Sequence, residues 1–545
     1  MRAAFTPTRL ASSLALLLLS SSALVQASAI PNGEKRQSSS CRKTKVAILG
    51  AGIAGITAAQ SLSNSSVTDF VIVEYQADIG GRVHHANFSQ GADGNPLVVE
   101  YGASSVQGLG ADTDQGGREN PIWRLVKKWN VANHESNFSR ILTYNQSGPT
   151  DFLLDMIEYK DAFKHMKRDA SDLIRDNIQD KTVRQGLIHQ GWNPDRRDYP
   201  AIADAVEWWH YDLEQGYTPD ETSLIFNSAV HNFTYVQFSD QKSFVVDQRG
   251  HNTWIKGEAS TFLNEKDPRM LLNTNVNSIE YTDDYVEVTM EDGSCITADY
   301  AVCTFSLGVL KHESAIEFSP PLPNWKQTSI DMFNMGTQSK LFLQFPKKFW
   351  PDNTEFFLYA DPTRRGWYPI WQSLDLEGFL PGSQVLFTTV TGNEAKRVER
   401  MTDEQIIAEV MEVLRAMFPD VDVPDPSAFA YPRWGTTPWV YGSFSGWPAG
   451  TTLEMHQNLR ANVSRLWFAG EHTSTSYFGS MQGAWLEGQD AGDRVAGLVR
   501  GECVAGTDVG DGDCGGRVAH GVLLGNTELG EYNIRNGWDE SPGFV

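Results

Sequence analysis

The 545-residue sequence has few cysteines, and none of them shows the spacing with histidine that is typical of a metal site. It therefore predicts no bound metal. Five cysteines are an odd number, so at least one thiol is free or pairs elsewhere. Cys303 lies in an apolar run and is expected to be a buried strand thiol. Cys503 and Cys514 bracket a tail rich in glycine and aspartate and are candidates for a local disulfide.

Positive charge is also scarce: 45 basic residues stand against 68 acidic ones, and the formal net charge is −23. Phosphate binding needs a basic surface, so nucleic acid is excluded as a partner. A net negative charge attracts cationic ligands, but it also keeps a protein soluble, and the sequence does not separate these two effects. Hydrophobic residues at 41% and charged residues at 21% are ordinary for a globular protein, which excludes global disorder.

The sequence has no apolar run of the roughly 20 residues that a membrane helix needs. Its first apolar run, Leu14–Leu19, is short, follows Arg2 and Arg9, and precedes the small residues Ala27–Ala29. This pattern is typical of a secretory signal peptide over residues 1–29, followed by a linker or propeptide over 30–43. We therefore predict a secreted protein with no stable membrane insertion.

Acceptor sites for N-linked glycans agree with export. The six asparagines that precede x-Ser or x-Thr are Asn64, Asn87, Asn137, Asn145, Asn232 and Asn462. The sequence therefore predicts a glycoprotein.

A glycine-rich turn separates two short apolar segments near the start of the mature chain. Lys45–Leu49 is a buried-strand pattern, Gly50-x-Gly52-x-x-Gly55 and a helical stretch follow it, and Phe70–Val73 ends at Glu74. Glycines at this spacing permit a tight turn, let the backbone approach a pyrophosphate, and let helix and strand pack closely. An acid at the end of the second strand accepts ribose hydroxyls. These features predict a dinucleotide site but do not separate FAD from NAD.

Further elements recur along the chain. The predicted strands and helices are a helix at Ile56–Leu62, strands at Leu271–Tyr281, Val286–Met290, Ile296–Phe305, Ser339–Phe345, Gln384–Thr389 and Leu466–Ala469, a helix after the Thr402/Gln405 capping box, and a helix at Gln482–Arg500. The pattern predicts a discontinuous two-domain protein. The dinucleotide domain comprises 44–115, 235–310 and 435–500, the second domain comprises 116–234 and 311–434, and 501–545 is a tail rich in glycine and aspartate.

Five blocks in order resemble the flavin amine oxidase family, which includes monoamine oxidases and L-amino acid oxidases. They are Asp78–Arg82 (DIGGR), Val98–Ala103, Ser306–Leu310 with Phe318–Pro323 after it, Phe468–Thr473, and Gly483-Ala484. The resemblance implies an α/β fold with a Rossmann-type FAD-binding domain and an interleaved α+β substrate-binding domain.

The resemblance also implies a set of cofactor contacts. The residues expected to bind FAD are Gly50, Gly52, Ala54, Gly55, Glu74, Arg82, Gly102, Ala103, Val276, Glu471, Gly483 and Ala484. Monoamine oxidases carry a flavin-linking cysteine where this chain has Ser443, so the FAD is expected to be non-covalent.

Within the family the chain most resembles polyamine oxidases. The segment Gly336–Pro346 is similar to the one that carries a lysine near flavin N5, which implies that Lys340 holds a water there. Glu100 matches an acid in the substrate tunnel, where it would bind a distal ammonium or help to deprotonate the amine. Phe444 matches an aromatic wall beside the flavin. Lys340, Glu100 and Phe444 are therefore the candidate catalytic residues.

Two departures weaken the expectation of long polyamines as substrates. Tyr217 stands where the second tunnel acid is expected, although Asp212 and Glu214 are near it in sequence. Ser480, beside Tyr477 and Phe478, stands where a second aromatic wall is expected.

The implied reaction is oxidation of a neutral amine, of the spermine or spermidine type, by hydride transfer to FAD. The imine hydrolyses to an aldehyde, and oxygen is reduced to hydrogen peroxide. One alternative is an L-amino acid oxidase, for which Arg433 is the candidate carboxylate ligand. Another is an oxidase acting on a nitrogenous secondary metabolite. A flavoprotein scaffold without turnover is opposed by Lys340 and Glu100. The oligomeric state stays open.

Overall fold

The computed structural model of the chain describes residues 40–91, 94–110, 118–175 and 179–501. The predicted signal peptide and the candidate pair Cys503 and Cys514 lie outside these residues. Within the described ranges, no helix has the length and apolar character needed to cross a bilayer.

The strands are short and the helices are mostly of two to five turns. The strands are β1 (Arg42–Leu49), β2 (Phe70–Val73), β3 (His85–Gln90), β4 (Pro96–Glu100), β5 (Ser105–Gln107), β6 (Asn133–Glu135), β7 (Ile141–Asn145), β8 (Gly148–Pro149), β9 (Lys242–Val245), β10 (Met270–Leu271), β11 (Val276–Tyr281), β12 (Val286–Met290), β13 (Cys295–Cys303), β14 (Glu317–Ser319), β15 (Asn334–Met335), β16 (Gln338–Gln344), β17 (Phe356–Ala360), β18 (Ile370–Ser373), β19 (Val385–Thr391), β20 (Ala428–Ala430), β21 (Ser445–Gly446) and β22 (Leu466–Phe468). The helices are α1 (Ile53–Asn64), α2 (Pro121–Lys128), α3 (Leu153–Arg175), α4 (Val183–His189), α5 (Pro200–Glu207), α6 (Leu213–Gln215), α7 (Leu224–His231), α8 (Thr253–Ser260), α9 (Leu307–Lys311), α10 (Asn324–Met332), α11 (Gly392–Val398), α12 (Asp403–Met417), α13 (Leu453–Arg460) and α14 (Met481–Arg500).

The predicted strand–helix–strand unit forms the centre of an eight-stranded sheet. Strands β2, β1 and β13 run parallel, and β22 pairs in parallel with the edge of β13 that faces away from β1. Val46 to Leu49 are fully buried, as a central strand covered on both faces requires. The Rossmann-type expectation is thus confirmed. The predicted strand over 271–281 is wrong at its centre, because β10 ends at Leu271 and β11 begins at Val276.

Helix α14 packs closely along α1 through glycines. A Cβ on Gly488 would lie 2.3 Å from the carbonyl oxygen of Ala54, and one on Gly492 would lie 2.6 Å from that of Ala58. These distances are too short for any side chain, so the close approach of the two helices requires glycine. The packing brings the N-terminal ends of both helices to the same cavity, which Ile53 and Met481 line.

A seven-stranded, mostly antiparallel sheet carries the second set of candidate residues. Its order is β20-β16-β19-β18-β17-β7-β8, and its strands come from the segments predicted as the second domain. Lys340 of β16 pairs with Thr389 of β19. Helix α12 begins at the predicted capping box of Thr402 and Gln405, which is confirmed. Strand β14 lies beyond the predicted boundary at 310 yet pairs with β11 of the eight-stranded sheet.

The cysteines of the described residues are all accounted for. Cys41 and Cys295 form a disulfide where the parallel strands β1 and β13 begin. Cys303 is free and fully buried at the end of β13, as expected of a strand thiol, and burial raises its pKa to about 12. A thiol in this state is a packing group rather than a nucleophile.

Candidate functional site

One cavity of about 510 Å³ collects most of the predicted site residues. Those that line it are Gly50, Gly52, Ala54, Glu74, Arg82, Gly102, Ala103, Val276, Lys340, Phe444, Glu471 and Ala484. Three predicted residues do not line it: Gly55, Gly483 and Glu100. The cavity runs from the turn after β1 to the sheet that contains β16.

The glycine turn after β1 has the geometry that the spacing predicts. Gly50 has a φ of +111°, which favours glycine, and a Cβ on Gly55 would lie 1.9 Å from the Gly50 carbonyl oxygen. Gly55 therefore contributes by packing. Around Gly52 the nearest protein atom to an added Cβ would be Gly81 Cα at 3.9 Å, so the added atom would project into the cavity. No side chain caps α1, which leaves its first N–H groups available for a phosphate.

Glu74 lies at the end of β2 and faces this turn. Its carboxylate accepts hydrogen bonds from the backbone N–H groups of Ala51 (2.7 Å) and Gln76 (2.9 Å). Burial raises the pKa of Glu74, and these two bonds oppose the rise. A carboxylate accepts about four hydrogen bonds, so it has capacity left for the hydroxyls of a ribose.

Arg82 and Glu471 form an ion pair across the cavity wall. Arg82 Nη1 donates to Glu471 Oε1 at 2.6 Å and to the carbonyl oxygen of Ser443 at 3.0 Å. Burial opposes ionisation of Glu471, but the charge of Arg82 and the hydrogen bonds from Ser445 and Arg82 together outweigh it and hold the pKa of Glu471 below its usual value. Glu471 also accepts from the Ser445 hydroxyl and from the Gly479 N–H. The pair thus fastens the segments around Ser443 and Gly479 to the dinucleotide side of the cavity.

Helix α14 presents its N-terminal end to the cavity. The Ser480 hydroxyl accepts from the Gly483 N–H, and Ser480, Met481, Gln482 and Ala484 line the cavity. Gly483 contributes by packing, because a Cβ there would lie 2.2 Å from the Tyr477 carbonyl oxygen. The positive end of a helix of 20 residues stabilises negative charge that develops on a bound group.

Lys340 is held at a fixed position in the cavity wall. Its Nζ donates to the carbonyl oxygens of Glu100 (3.0 Å) and Gly102 (2.5 Å). An ammonium has three N–H donors, so one remains for a group in the cavity. Burial lowers the pKa of Lys340 to about 8, and the nearby Glu100 carboxylate opposes that shift.

Glu100 lies behind this wall, and the structure does not bring its side chain to the cavity surface. The side chain is buried, and its Oε1 accepts from the backbone N–H of His251 at 2.6 Å. Burial raises the pKa of Glu100 to about 7. The expected direct contact with the amine is therefore not supported by the geometry. Glu100 instead acts on Lys340, through its carbonyl oxygen and its charge.

We expect Glu100→Gln to shift the alkaline limb of the kcat/KM profile to lower pH. Glu100 ionises above a pH of about 7 and then raises the pKa of Lys340. Removing the carboxylate leaves only the effect of burial, so the Lys340 pKa falls below about 8. The pH profiles of the variant and of an exposed control, Glu313→Gln, give the measurement. A limb that stays in place while amine binding weakens at every pH would instead support direct contact of Glu100 with the amine.

Several aromatic rings line the same cavity as Lys340. Phe444, Tyr101, Trp434, Trp439 and Phe387 all line the cavity. The Phe444 ring fits there because residue 216 is glycine: a Cβ on it would lie 2.6 Å from Phe444 Cζ. Such walls suit an alkyl chain by apolar contact and a cation by cation–π attraction.

Ser443 stands where monoamine oxidases carry a flavin-linking cysteine. Its hydroxyl accepts from the Gln338 N–H at 2.7 Å and donates to the Gln338 carbonyl oxygen at 3.0 Å. Of the cysteines in the described ranges, none lines the cavity. This arrangement agrees with the expected non-covalent cofactor.

The folded structure places the two acidic residues near position 217 in different surroundings. Tyr217 does not line the cavity, and its hydroxyl lies 3.4 Å from the Phe444 carbonyl oxygen. Asp212 is fully buried and paired with Arg365 at 2.6 Å. Glu214 does line the cavity, and so does its partner Lys242. Sequence reasoning missed Lys242 because no pattern relates it to Glu214, which lies on another element.

Arg433, the candidate carboxylate ligand of an amino acid oxidase, does not line the cavity. It pairs with Asp403 at 3.1 Å and lies over the Tyr431 ring. Among the described residues that line the cavity, the one arginine is Arg82, whose charge is paired with Glu471. Among the described residues, no cluster of three or more metal-ligating side chains is placed to hold an ion.

These residues fit FAD. The space beside Gly52, the uncapped N-terminus of α1, the Glu74 carboxylate and the N-terminus of α14 are the groups that a flavin dinucleotide needs. Val276 and Thr274 line the cavity close to Glu74, which accounts for the expected contact at Val276.

Comparisons with known proteins agree with the geometry. Residues 53–496 match the model of the family described as flavin containing amine oxidoreductase. The chain is 37% identical over 458 residues to polyamine oxidase 1 of Zea mays, covering 81% of this chain and 88% of that one. It is also 37% identical over 493 residues to polyamine oxidase 7 of Oryza sativa subsp. japonica, covering 88% and 98%. A putrescine oxidase variant from a redesign of cofactor binding has a similar fold, with a TM-score of 0.64, 16% identity, and coverage of 84% and 100%.

Proposed function

Because the chain belongs to the family of flavin-containing amine oxidoreductases, it is an FAD-dependent amine oxidase, and we propose that its substrates are polyamines. The observation that carries the proposal is the position of Lys340. One of its N–H donors is left for the cavity, within a wall of aromatic rings that suits a flexible alkylamine. The relatives named polyamine oxidase support it over most of the chain.

Bound FAD supplies the acceptor for a hydride from the carbon beside the amine nitrogen, and oxygen then takes up the two electrons as hydrogen peroxide. The residues of the chain prepare the amine for this step. The aromatic wall of Phe444, Trp434 and Trp439 packs against the carbon chain and orients it. The third N–H of Lys340 holds a water in the cavity, which is available to hydrolyse the imine to an aldehyde and an amine.

The protonation state of the substrate amine determines how activity depends on pH. Its lone pair must be free when the C=N bond forms, so the amine reacts in its neutral form. Activity is therefore expected to rise with pH until Lys340 loses its proton near its pKa of about 8.

The alternative of an L-amino acid oxidase has less support. Arg433 is engaged by Asp403 outside the cavity, and Arg82 is engaged by Glu471. Arg433 therefore does not reach a substrate in the cavity, and the charge of Arg82 is already neutralised.

A peroxide-coupled screen tests the function. We expect hydrogen peroxide from spermine, spermidine or their acetylated forms, and none from amino acids, because the cavity has aromatic walls and the arginine in its described lining, Arg82, is paired with Glu471. The same screen with Gly52→Val protein controls for peroxide that does not depend on bound FAD. Turnover of amino acids alone, or of simple monoamines alone, would contradict the proposal.

We also propose that the protein is exported. The predicted signal peptide and sequons support export, and so does the Cys41–Cys295 disulfide, since such bonds persist in oxidising compartments.

Glycan occupancy is expected to follow exposure. Asn64, Asn87 and Asn137 are exposed and should carry glycans. Asn462 should not, since it is half-buried and its Nδ2 donates to the Ser464 carbonyl oxygen at 2.7 Å. Peptide mapping by mass spectrometry of protein from the culture medium, with and without glycosidase, gives the measurement. An intact Met1 or the absence of any glycosidase shift would count against export.

A further inference from the structure

An arm of the cavity contains a pair of opposite charges that the proposed mechanism does not use. We define the Glu214 arm by five lining residues: Gln107, Phe138, Glu214, Lys242 and Phe356. Gln107 and Lys242 face each other on the paired strands β5 and β9. Glu214 comes from α6, and Lys242 Nζ forms an ion pair with its Oε1.

Every oxygen of the Glu214 carboxylate is engaged. Oε1 accepts from Lys242, and Oε2 accepts from the Tyr235 hydroxyl at 2.7 Å and from Gln107 Nε2 at 3.1 Å. A carboxylate accepts about four hydrogen bonds, so little capacity is left, and Lys242 already neutralises the negative charge. The carboxylate is therefore not available as an ammonium site while Lys242 remains in place.

Lys242 is itself fixed by its surroundings. Its Nζ lies 4.9 Å from the centre of the Phe138 ring and 5.4 Å from that of Tyr235, so two aromatic faces attract the same cation. Its side chain is only 13% exposed. Burial lowers the pKa of Lys242 to about 7, and the adjacent Glu214 carboxylate favours its protonated form. These contacts keep the side chain in the arm.

The other charged residues that line the cavity do not offer a carboxylate to a second substrate ammonium. The other lining carboxylates are Glu74, which accepts two backbone N–H groups, and Glu471, which pairs with Arg82. The other lining lysine is Lys340, a second cation. Among the described lining residues no carboxylate is left for a second ammonium of the substrate.

We propose that Lys242 is a specificity-determining residue that excludes a second ammonium from the Glu214 arm, so that preferred substrates place a neutral hydrogen-bond acceptor there. This inference rests on the proposed function and narrows it to polyamines with an uncharged end. The carbonyl oxygen of an N-acyl group is such an acceptor, since Lys242 and Gln107 both present N–H donors to the arm. Because Lys242 already neutralises Glu214, a second ammonium that enters this poorly solvated arm loses its water without gaining a counter-charge, which we expect to lower its affinity by roughly tenfold or more.

Steady-state kinetics with a matched pair of substrates test the inference. For the holoenzyme we expect kcat/KM for N1-acetylspermine to exceed that for spermine by about tenfold or more. In Lys242→Met the preference should vanish or reverse, because Glu214 then becomes available to the ammonium. Lys242→Arg keeps the charge and should keep the preference. The same ratio in the wild type and in Lys242→Met would overturn the proposal.

A binding measurement separates this inference from the proposed function. Alkylguanidines stay protonated and are not oxidised, so their dissociation constants are obtained from flavin absorbance without turnover. Octylguanidine should bind the wild type about tenfold more tightly than 1,8-diguanidino-octane, and the gap should close in Lys242→Met. Glu214→Gln/Lys242→Met, which leaves no unpaired carboxylate, should show little discrimination. If the two dissociation constants become equal in Lys242→Met but no polyamine is oxidised, only the proposed substrate class is rejected. If the ratio of the two dissociation constants is the same in the wild type and in Lys242→Met, the role of Lys242 is rejected.

Discussion

Gly52→Val will give a folded protein without flavin. The nearest protein atom to a Cβ at residue 52 would be 3.9 Å away, so the fold has room for the first atom of the side chain. That atom projects into the cavity, where the pyrophosphate of FAD must approach the backbone of α1. The valine therefore competes with the cofactor rather than with the fold. Activity should be lost with the flavin, a far larger effect than any single hydrogen bond supplies.

The measurement is the flavin content per chain, read from the absorbance released into the supernatant after acid precipitation. Release of the chromophore from the wild type also tests non-covalent binding, and flavin that stayed in the pellet would reject it. Thr57→Val is a near-isosteric control on the same helix and away from the cavity lining. It should retain its flavin, and circular dichroism should show that both variants are folded. A fully yellow Gly52→Val protein would contradict this assignment of the dinucleotide site.

Lys340→Met will keep FAD but slow turnover by about two orders of magnitude, the size of effect typical of a positioned proton donor or acceptor. The side chain donates to the Glu100 and Gly102 carbonyl oxygens and has one N–H left for a water in the cavity. Methionine has similar length and no donor, so the cavity keeps its shape and loses the water ligand. Flavin content should be unchanged, because neither bond of Lys340 is to the glycine turn or to Glu74.

Stopped-flow measurements of the two half-reactions locate the loss, since amine and oxygen are added separately. A slower reduction places Lys340 in amine oxidation, and a slower reoxidation places it in the reaction with oxygen. Lys396→Met, an exposed lysine on α11, is the control and should react at wild-type rates. Wild-type rates of both half-reactions in Lys340→Met would mean that the residue is structural.

The dinucleotide side of the site could be predicted from the sequence because its determinants are local. The turn from Gly50 to Gly55 needs glycine for a positive φ and for a contact that a Cβ would block, and both requirements lie within six residues. Glu74 ends the next strand of the same unit, so its distance from the turn follows from the connectivity. Family resemblance added Arg82, Glu471 and Lys340, which the structure brings to the same cavity.

The substrate side could not be predicted in the same way. Glu100 was expected in the cavity, yet its side chain lies behind the wall because the His251 N–H, 151 residues away in sequence, binds it there. The sequence relates Glu214 to the site only by its nearness to Tyr217. Its pairing with Lys242 depends on how α6 meets β9, which no local pattern encodes.

The sequence by itself determined the strand–helix–strand unit, the family and hence the cofactor, because periodicity and glycine requirements act over a few residues. Only the tertiary structure decided which charges reach the cavity and which are already neutralised. Lys340 meets its carbonyl partners across 240 and 238 residues, and Arg433 meets Asp403 across 30. A side chain's charge is a property of its residue type, whereas its availability to a substrate depends on the partners that folding places beside it.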